Sequence, residues 1–186
     1  MEKNSPFLDV YNRINTKTNT SLKRIKFLLE NDDITASDEL YSFLNEIEDL
    51  LRRNNMAAFT DIATYRTNFW SSRVAFDQRV PQKKFQLQKA SELLPNISQT
   101  LEGVLQPIKD KIDLAKKEIT ALAVKAFDSN MIQQKKTEEF SAFIENLWEI
   151  FLQHDNFKER ALFVSNTLHT TDIHYLLTEA IQTQEK

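Results

Sequence analysis

"LEGVLQPIKDKIDLAKKEITALAVKA", residues 101–126, is the stretch on which the fold turns. Its apolar residues Leu101, Leu105, Ile108, Ile112, Ala115, Ile119, Leu122 and Ala126 alternate by four and three with no polar interruption. That spacing returns to one side of an α-helix and makes a coiled-coil-like seam. A seven-residue register carries the pattern back through Leu94 and Leu87 to Val80. Pro95 and Pro107 fall inside it, and a proline within a straight helix costs about 3 kcal/mol. Pro107 leaves the phase unchanged, which predicts a kink in a continuous helix; Pro95, followed by Asn96, predicts a break. One helix over 96–127 would be about 48 Å long at about 1.5 Å per residue. A compact chain of this length has a radius of gyration of only about 16 Å, so the expected molecule is elongated.

The rest of the sequence reads in the same vocabulary. A single glycine, Gly103, among 186 residues removes glycine-lined phosphate loops, dinucleotide turns and glycine hairpins. The absence of cysteine removes thiol chemistry and disulfide scaffolds, and suits a reducing compartment. The first residues, "MEKNSPFLDVYNR", carry neither the basic segment nor the apolar run of a signal peptide. No apolar run approaches the roughly 18 residues of a membrane span. The expectation is a cytoplasmic protein.

Helical periodicity predicts a first helix from Pro6 to Leu29, facing inward with Tyr11, Ile14, Leu22, Ile25 and Leu29, and capped at its end by Asn31. A second starts at Thr35 or Ser37 and carries Leu40, Phe43, Leu44, Ile47, Leu50 and Leu51. A third runs from Phe59 to Val80 and stops before Pro81. Beyond "DSN" at 128–130 come helices around Phe143 to Phe151, from Asn156, and around Ile173 to Ile181. The fold class is therefore all-α: an elongated multi-helix bundle of about six to seven helices with one long, proline-kinked, coiled-coil-like helix. It forms one domain over 1–186, with a subdivision near 128–136.

The third helix mixes aromatic and basic residues. At 100° per residue, Ile62, Tyr65, Phe69, Phe76 and Val80 lie on one flank, Phe59, Ala63, Trp70 and Val74 on another, and Arg66, Arg73 and Asp77 between them. Bases aligned for phosphate would form an exposed stripe instead. This arrangement predicts a helix wedged between neighbours, with Arg66, Arg73 and Asp77 as a polar seam or recognition pocket. Residues 30–49 hold eight acids and no Lys or Arg, while 66–89 hold six bases against Asp77. The two segments are expected to face each other, with Glu46 against Arg73 as one such pair.

Chemistry-bearing residues are sparse. His154, His169 and His174 are the only histidines. A di-iron bundle needs Glu three residues before a histidine, and those positions are Phe151, Asn166 and Thr171. His169 and His174 stand about 140° apart on a regular helix; only a loop would bring them together with Asp172. No catalytic, cofactor or metal site is expected.

The reading is a non-enzymatic helical interaction protein: an adaptor, regulatory subunit or structural component of a larger assembly, with a protein partner or a second copy. Its partner-facing apolar residues are Trp148, Ile173, Leu177 and Ile181. The alternative is a nucleic-acid or anionic-membrane contact through the basic and aromatic segment Arg79, Lys83, Lys84, Phe85 and Lys89. A net charge of −3 and an acidic carboxyl-terminal third argue against broad attraction to nucleic acid; peripheral membrane contact stays open.

Overall fold

The structure, a computed structural model, describes residues 6–74, 81–129 and 139–184. Among them are seven helices and no strand: α1 (Phe7–Glu30), α2 (Thr35–Arg53), α3 (Phe59–Val74), α4 (Gln82–Asp128), α5 (Phe140–Gln153), α6 (Asp155–Thr167) and α7 (Thr170–Gln184). None of them is long and apolar enough to cross a membrane. The helices fall into two compact units. The first holds Val10–Pro107; the second holds Pro6–Asp9 and the chain from Ile108 onward.

α4 does not break at Pro95, where the sequence predicts an end; it runs unbroken through both prolines. Both sit at solvent-exposed positions, so the carbonyls of Ser91 and Gly103, which lose their usual donors four residues on, remain open to water. The seam is core of the chain itself: seven of its eight residues are buried, and Ile108 is half-buried.

In the first unit, Val10, Ile14 and Ile25 of α1 pack with Leu40, Phe43, Leu44, Ile47 and Leu51 of α2, Ile62 and Phe69 of α3, and Ala90, Leu93, Ile97, Leu101 and Leu105 of α4. Leu22 and Leu29 belong to the same α1 stripe but are only half-buried. α3 buries one flank rather than two, because Trp70 and Val74 are exposed. Polar links tie the layers together. Tyr65 Oη lies 3.2 Å from Thr100 Oγ1, and Ser37 Oγ donates to Gln86 Oε1 at 2.9 Å. The Gln82 amide donates to the carbonyls of Ser72 and Arg73 at 2.8 and 3.0 Å, satisfying two orphan acceptors at the end of α3.

With glycine absent from the helix ends, two other residues take the left-handed conformation that closes them. Asp32 (φ 51°) ends α1 and Asn55 (φ 54°) ends α2. Each is followed by the long bond of a Schellman motif, Asp33 N–H to Leu28 C=O at 2.9 Å and Met56 N–H to Leu51 C=O at 3.0 Å. The left-handed residue is thus Asp32 rather than Asn31, whose side chain instead donates to the Phe27 carbonyl at 2.7 Å. α2 starts at Thr35, one of the two starts that the sequence predicts, and the Asp33 carboxylate caps it, accepting from Thr35 N–H and Oγ1 at 2.9 Å each. Those bonds hold its pKa below the ordinary aspartate value.

In the second unit Ile112, Ala115, Ile119, Leu122 and Ala126 of α4 are buried, and α4 is tied to α6 by Lys125 Nζ on the Asn156 carbonyl (3.2 Å) and to α7 by Lys116 on Glu179 (2.9 Å). Asp172, in the first turn of α7 and 2% exposed, accepts from the N–H groups of Phe7 (2.8 Å) and Leu8 (3.3 Å) and so caps the start of α1. Burial pushes this carboxyl above its ordinary 3.8, against the pull of the two N–H donors.

Two stability measurements follow. Gly103 is exposed within α4, and a Cβ added there meets nothing within 4 Å; Gly103→Ala should therefore stabilise by about 1 kcal/mol, read as a higher urea midpoint. For Asp172 the folded pKa lies above the unfolded one, so the stabilisation from its proton is complete below about 3.8 and is lost as pH rises through the folded value. The melting temperature of the wild type should gain on that of Asp172→Asn as pH falls from about 7 to about 4. A difference independent of pH would show that the carboxyl titrates normally.

Candidate functional site

The acidic α2 and the basic α3 meet through specific pairs. Glu48, with a side chain 8% exposed, accepts from Arg66 Nε at 2.6 Å and from Arg52 one turn along α2. Arg66 is held above the ordinary arginine value, chiefly by that bond. Arg73 pairs with Asp38 and lies over the rings of Tyr41 (5.4 Å) and Trp70 (5.8 Å), which themselves stand 5.3 Å apart. Glu46 is not the partner of Arg73. It faces α1, where Lys17 pairs with it and lowers its pKa; Arg24 likewise reaches Glu39 at 2.9 Å. Asp77 and Arg79 lie outside the described residues.

Trp148, Ile173, Leu177 and Ile181, expected to face a partner, do not. They are between 0 and 4% exposed and form the core of the second unit. The amphipathic stripes of α5 and α7 close on each other, so their apolar faces are already covered. The exposed apolar residues of these helices and α6 are others: Ile150, Leu162, Phe163 and Tyr175.

The histidines act locally. His154 Nδ1 accepts from Asn156 N–H at 3.2 Å and opens α6; His169 Nδ1 accepts from Thr171 N–H at 3.3 Å and opens α7. Among the described residues no group of three His, Asp or Glu side chains is placed to hold a metal ion.

The basic segment after Pro81 divides. Lys89 pairs with Glu92 at 3.1 Å, and Phe85 is half-buried. Lys83 and Lys84 remain exposed and line a cleft of about 580 Å³ with Leu29, Asp32, Leu87 and Ser91. A neighbouring cleft of about 510 Å³ is lined by Leu22, Lys23, Lys26 and Leu29 of α1 and by Ser91, Leu94, Pro95 and Ser98 of α4. The two share Leu29 and Ser91, and form one groove between α1 and α4 with an apolar floor. It explains why Leu22 and Leu29 are left half-buried. Lys23 and Lys26 carry no sequence signal for this site, because nearly sixty residues separate them from Lys83; only the packing of α1 along α4 brings the four together.

Charge sets this groove apart within the first unit. Lys17, Arg24, Arg52, Arg53, Arg66, Arg73 and Lys89 are each ion-paired, and Arg13 is also engaged. The four described bases of this unit without an ion pair among the described residues are Lys23, Lys26, Lys83 and Lys84, and all four line the groove; Lys83 also acts on Asp33, whose pKa its charge helps to lower.

Glu48→Ala should destabilise by about 1.5–3 kcal/mol, since it leaves Arg66 without its charged acceptor. Replacing both, as Glu48→Met with Arg66→Met, should recover more than the single losses predict. Additive losses in urea melts would show that the pair is uncoupled. No protein-family model matches the chain, and neither curated proteins nor solved structures yield a match.

Proposed function

We propose that this chain is a non-catalytic, cytoplasmic helical module that works by binding another protein, and that the groove between α1 and α4 is its contact surface. The observation that carries this reading is the coincidence of an apolar floor with the four lysines of the first unit that form no ion pair among the described residues. An apolar floor rimmed by charge is the anatomy of a docking groove for a protein segment. Elsewhere the titratable groups serve the fold: Glu48 anchors α3 to α2, Asp172 caps α1, and His154 and His169 open helices. The lack of cysteine is the ground for a reducing, cytoplasmic setting.

A contact with nucleic acid or an anionic membrane draws on the same lysines and is the competing reading. The floor favours protein, because Leu22, Leu29, Leu87, Leu94 and Pro95 offer nothing to a phosphate.

A photoreactive residue placed at Ser91, exposed and common to both clefts, tests the choice in native lysate, with the exposed Thr64 of α3 as the control position. Protein adducts should form from position 91 and not from 64. Adducts made only with nucleic acid or lipid would overturn the reading, as would equal labelling from both positions.

A further inference from the structure

We infer that the occupant of the α1/α4 groove is an acidic amphipathic helix of about four turns; this rests on the protein-binding reading above and names the partner's chemistry. Length comes first. The α4 wall runs from Lys84 to Ser98, which is about 21 Å at about 1.5 Å per residue. Along it Leu87, Ser91, Leu94, Pro95 and Ser98 recur at helical spacing, and the small Ser91 and Ser98 let another backbone approach closely. Asp32, just past α1, lines only the Pro81–Ser91 part and Leu22 only the Ser91–Ser98 part, with Leu29 common to both, so α1 runs antiparallel along it. Two parallel walls over an apolar floor fit a rod better than a compact ligand.

Charge decides the sign of the partner. Lys83 and Lys84 stand toward one end, while Lys23 and Lys26 line the α1 wall; Glu30 and Asp32 are the acids among the lining residues. Lysines dispersed along a groove match carboxylates dispersed along a helix, whereas a single phosphate calls for convergent donors. Phe27, 63% exposed and one turn beyond Lys23 on α1, offers an apolar anchor next to the rim.

The occupant is not an acidic helix of a second copy of this chain: α2 has Leu40, Phe43, Leu44, Ile47 and Leu51 buried in the first unit. α5 carries Glu145 and Glu149, but its Phe143, Leu147 and Phe151 are buried in the second unit and cannot be offered to a groove.

The test uses the full chain against displayed libraries of sixteen-residue helices, with the apolar stripe randomised over Leu, Ile, Val, Met and Phe and the flanks fixed as acidic, basic or uncharged. Acidic members should be enriched. Their affinity should fall roughly tenfold or more when salt is raised from about 0.05 to about 0.5 M, as screening of exposed charges requires. It should also fall about tenfold or more in Lys23→Glu/Lys84→Glu and in the groove-filling Ser91→Trp, each shown by circular dichroism to remain folded. Enrichment of basic or uncharged helices that Ser91→Trp still blocks would overturn the acidic assignment and leave the protein-binding reading standing. No enrichment from any library, together with lysine-dependent retention on anionic vesicles or duplex DNA, would overturn both. No enrichment without such retention would overturn the helical-ligand assignment.

Discussion

A helix that carries two prolines and still does not break is the constraint on which this structure depends. α4 supplies a wall to each of the two units, Ala90 to Leu105 in the first and Ile112 to Ala126 in the second. Had Pro95 ended it, Leu87 and Leu101 would belong to different elements and the α1/α4 groove would have no continuous side. The prolines are tolerated because they occupy the exposed face, where the loss of a backbone donor leaves a carbonyl facing water rather than core. At Pro95 the same exposed face is a wall of the groove.

Around this helix, charge is distributed by neutralisation. α2 is acidic, and its carboxylates are taken up from two sides, by Lys17 and Arg24 of α1 and by Arg66 and Arg73 of α3. Most of these pairs are exposed and each contributes little. Their collective effect is to orient α2 between its neighbours. Glu48 is the exception in depth: buried and bonded to two arginines, it resembles a core residue that happens to be charged.

The helices were legible because burial and period agree. α2 places its apolar residues at intervals that admit one inward face, and all but the half-buried Tyr41 and Leu50 are buried. The seam at 101–126 was equally clear, but periodicity does not say whether a stripe meets its own chain or another; here it meets its own. The same ambiguity misassigned Trp148, Ile173, Leu177 and Ile181 to a partner. Pro95 was misread because residue preference is local, while the stability of a long helix comes from packing along its whole length. The site was the least legible part. Lys83 and Lys84 stand out in sequence, whereas Lys23 and Lys26 look like any solvated helical face until α1 is laid antiparallel against α4.

The four lysines also weigh in the functional argument through what they do to the unliganded chain. Lys23 and Lys26 are three residues apart on one helix, and like charges at that spacing oppose folding by about a few tenths of a kcal/mol. Elsewhere in the unit such charge is answered by a carboxylate, from a neighbouring helix for Lys17, Arg24, Arg66 and Arg73 and from the same helix for Arg52, Arg53 and Lys89. In the groove Glu30 and Asp32 lie close at hand yet form no ion pair with these lysines among the described residues. A surface shaped by folding alone would gain by closing those pairs and by bringing Leu22 and Leu29 under cover. Both groups left unsatisfied, the charged rim and the apolar floor, are the groups that an acidic helix would satisfy at once, and that shared deficit is the physical basis of the proposed recognition.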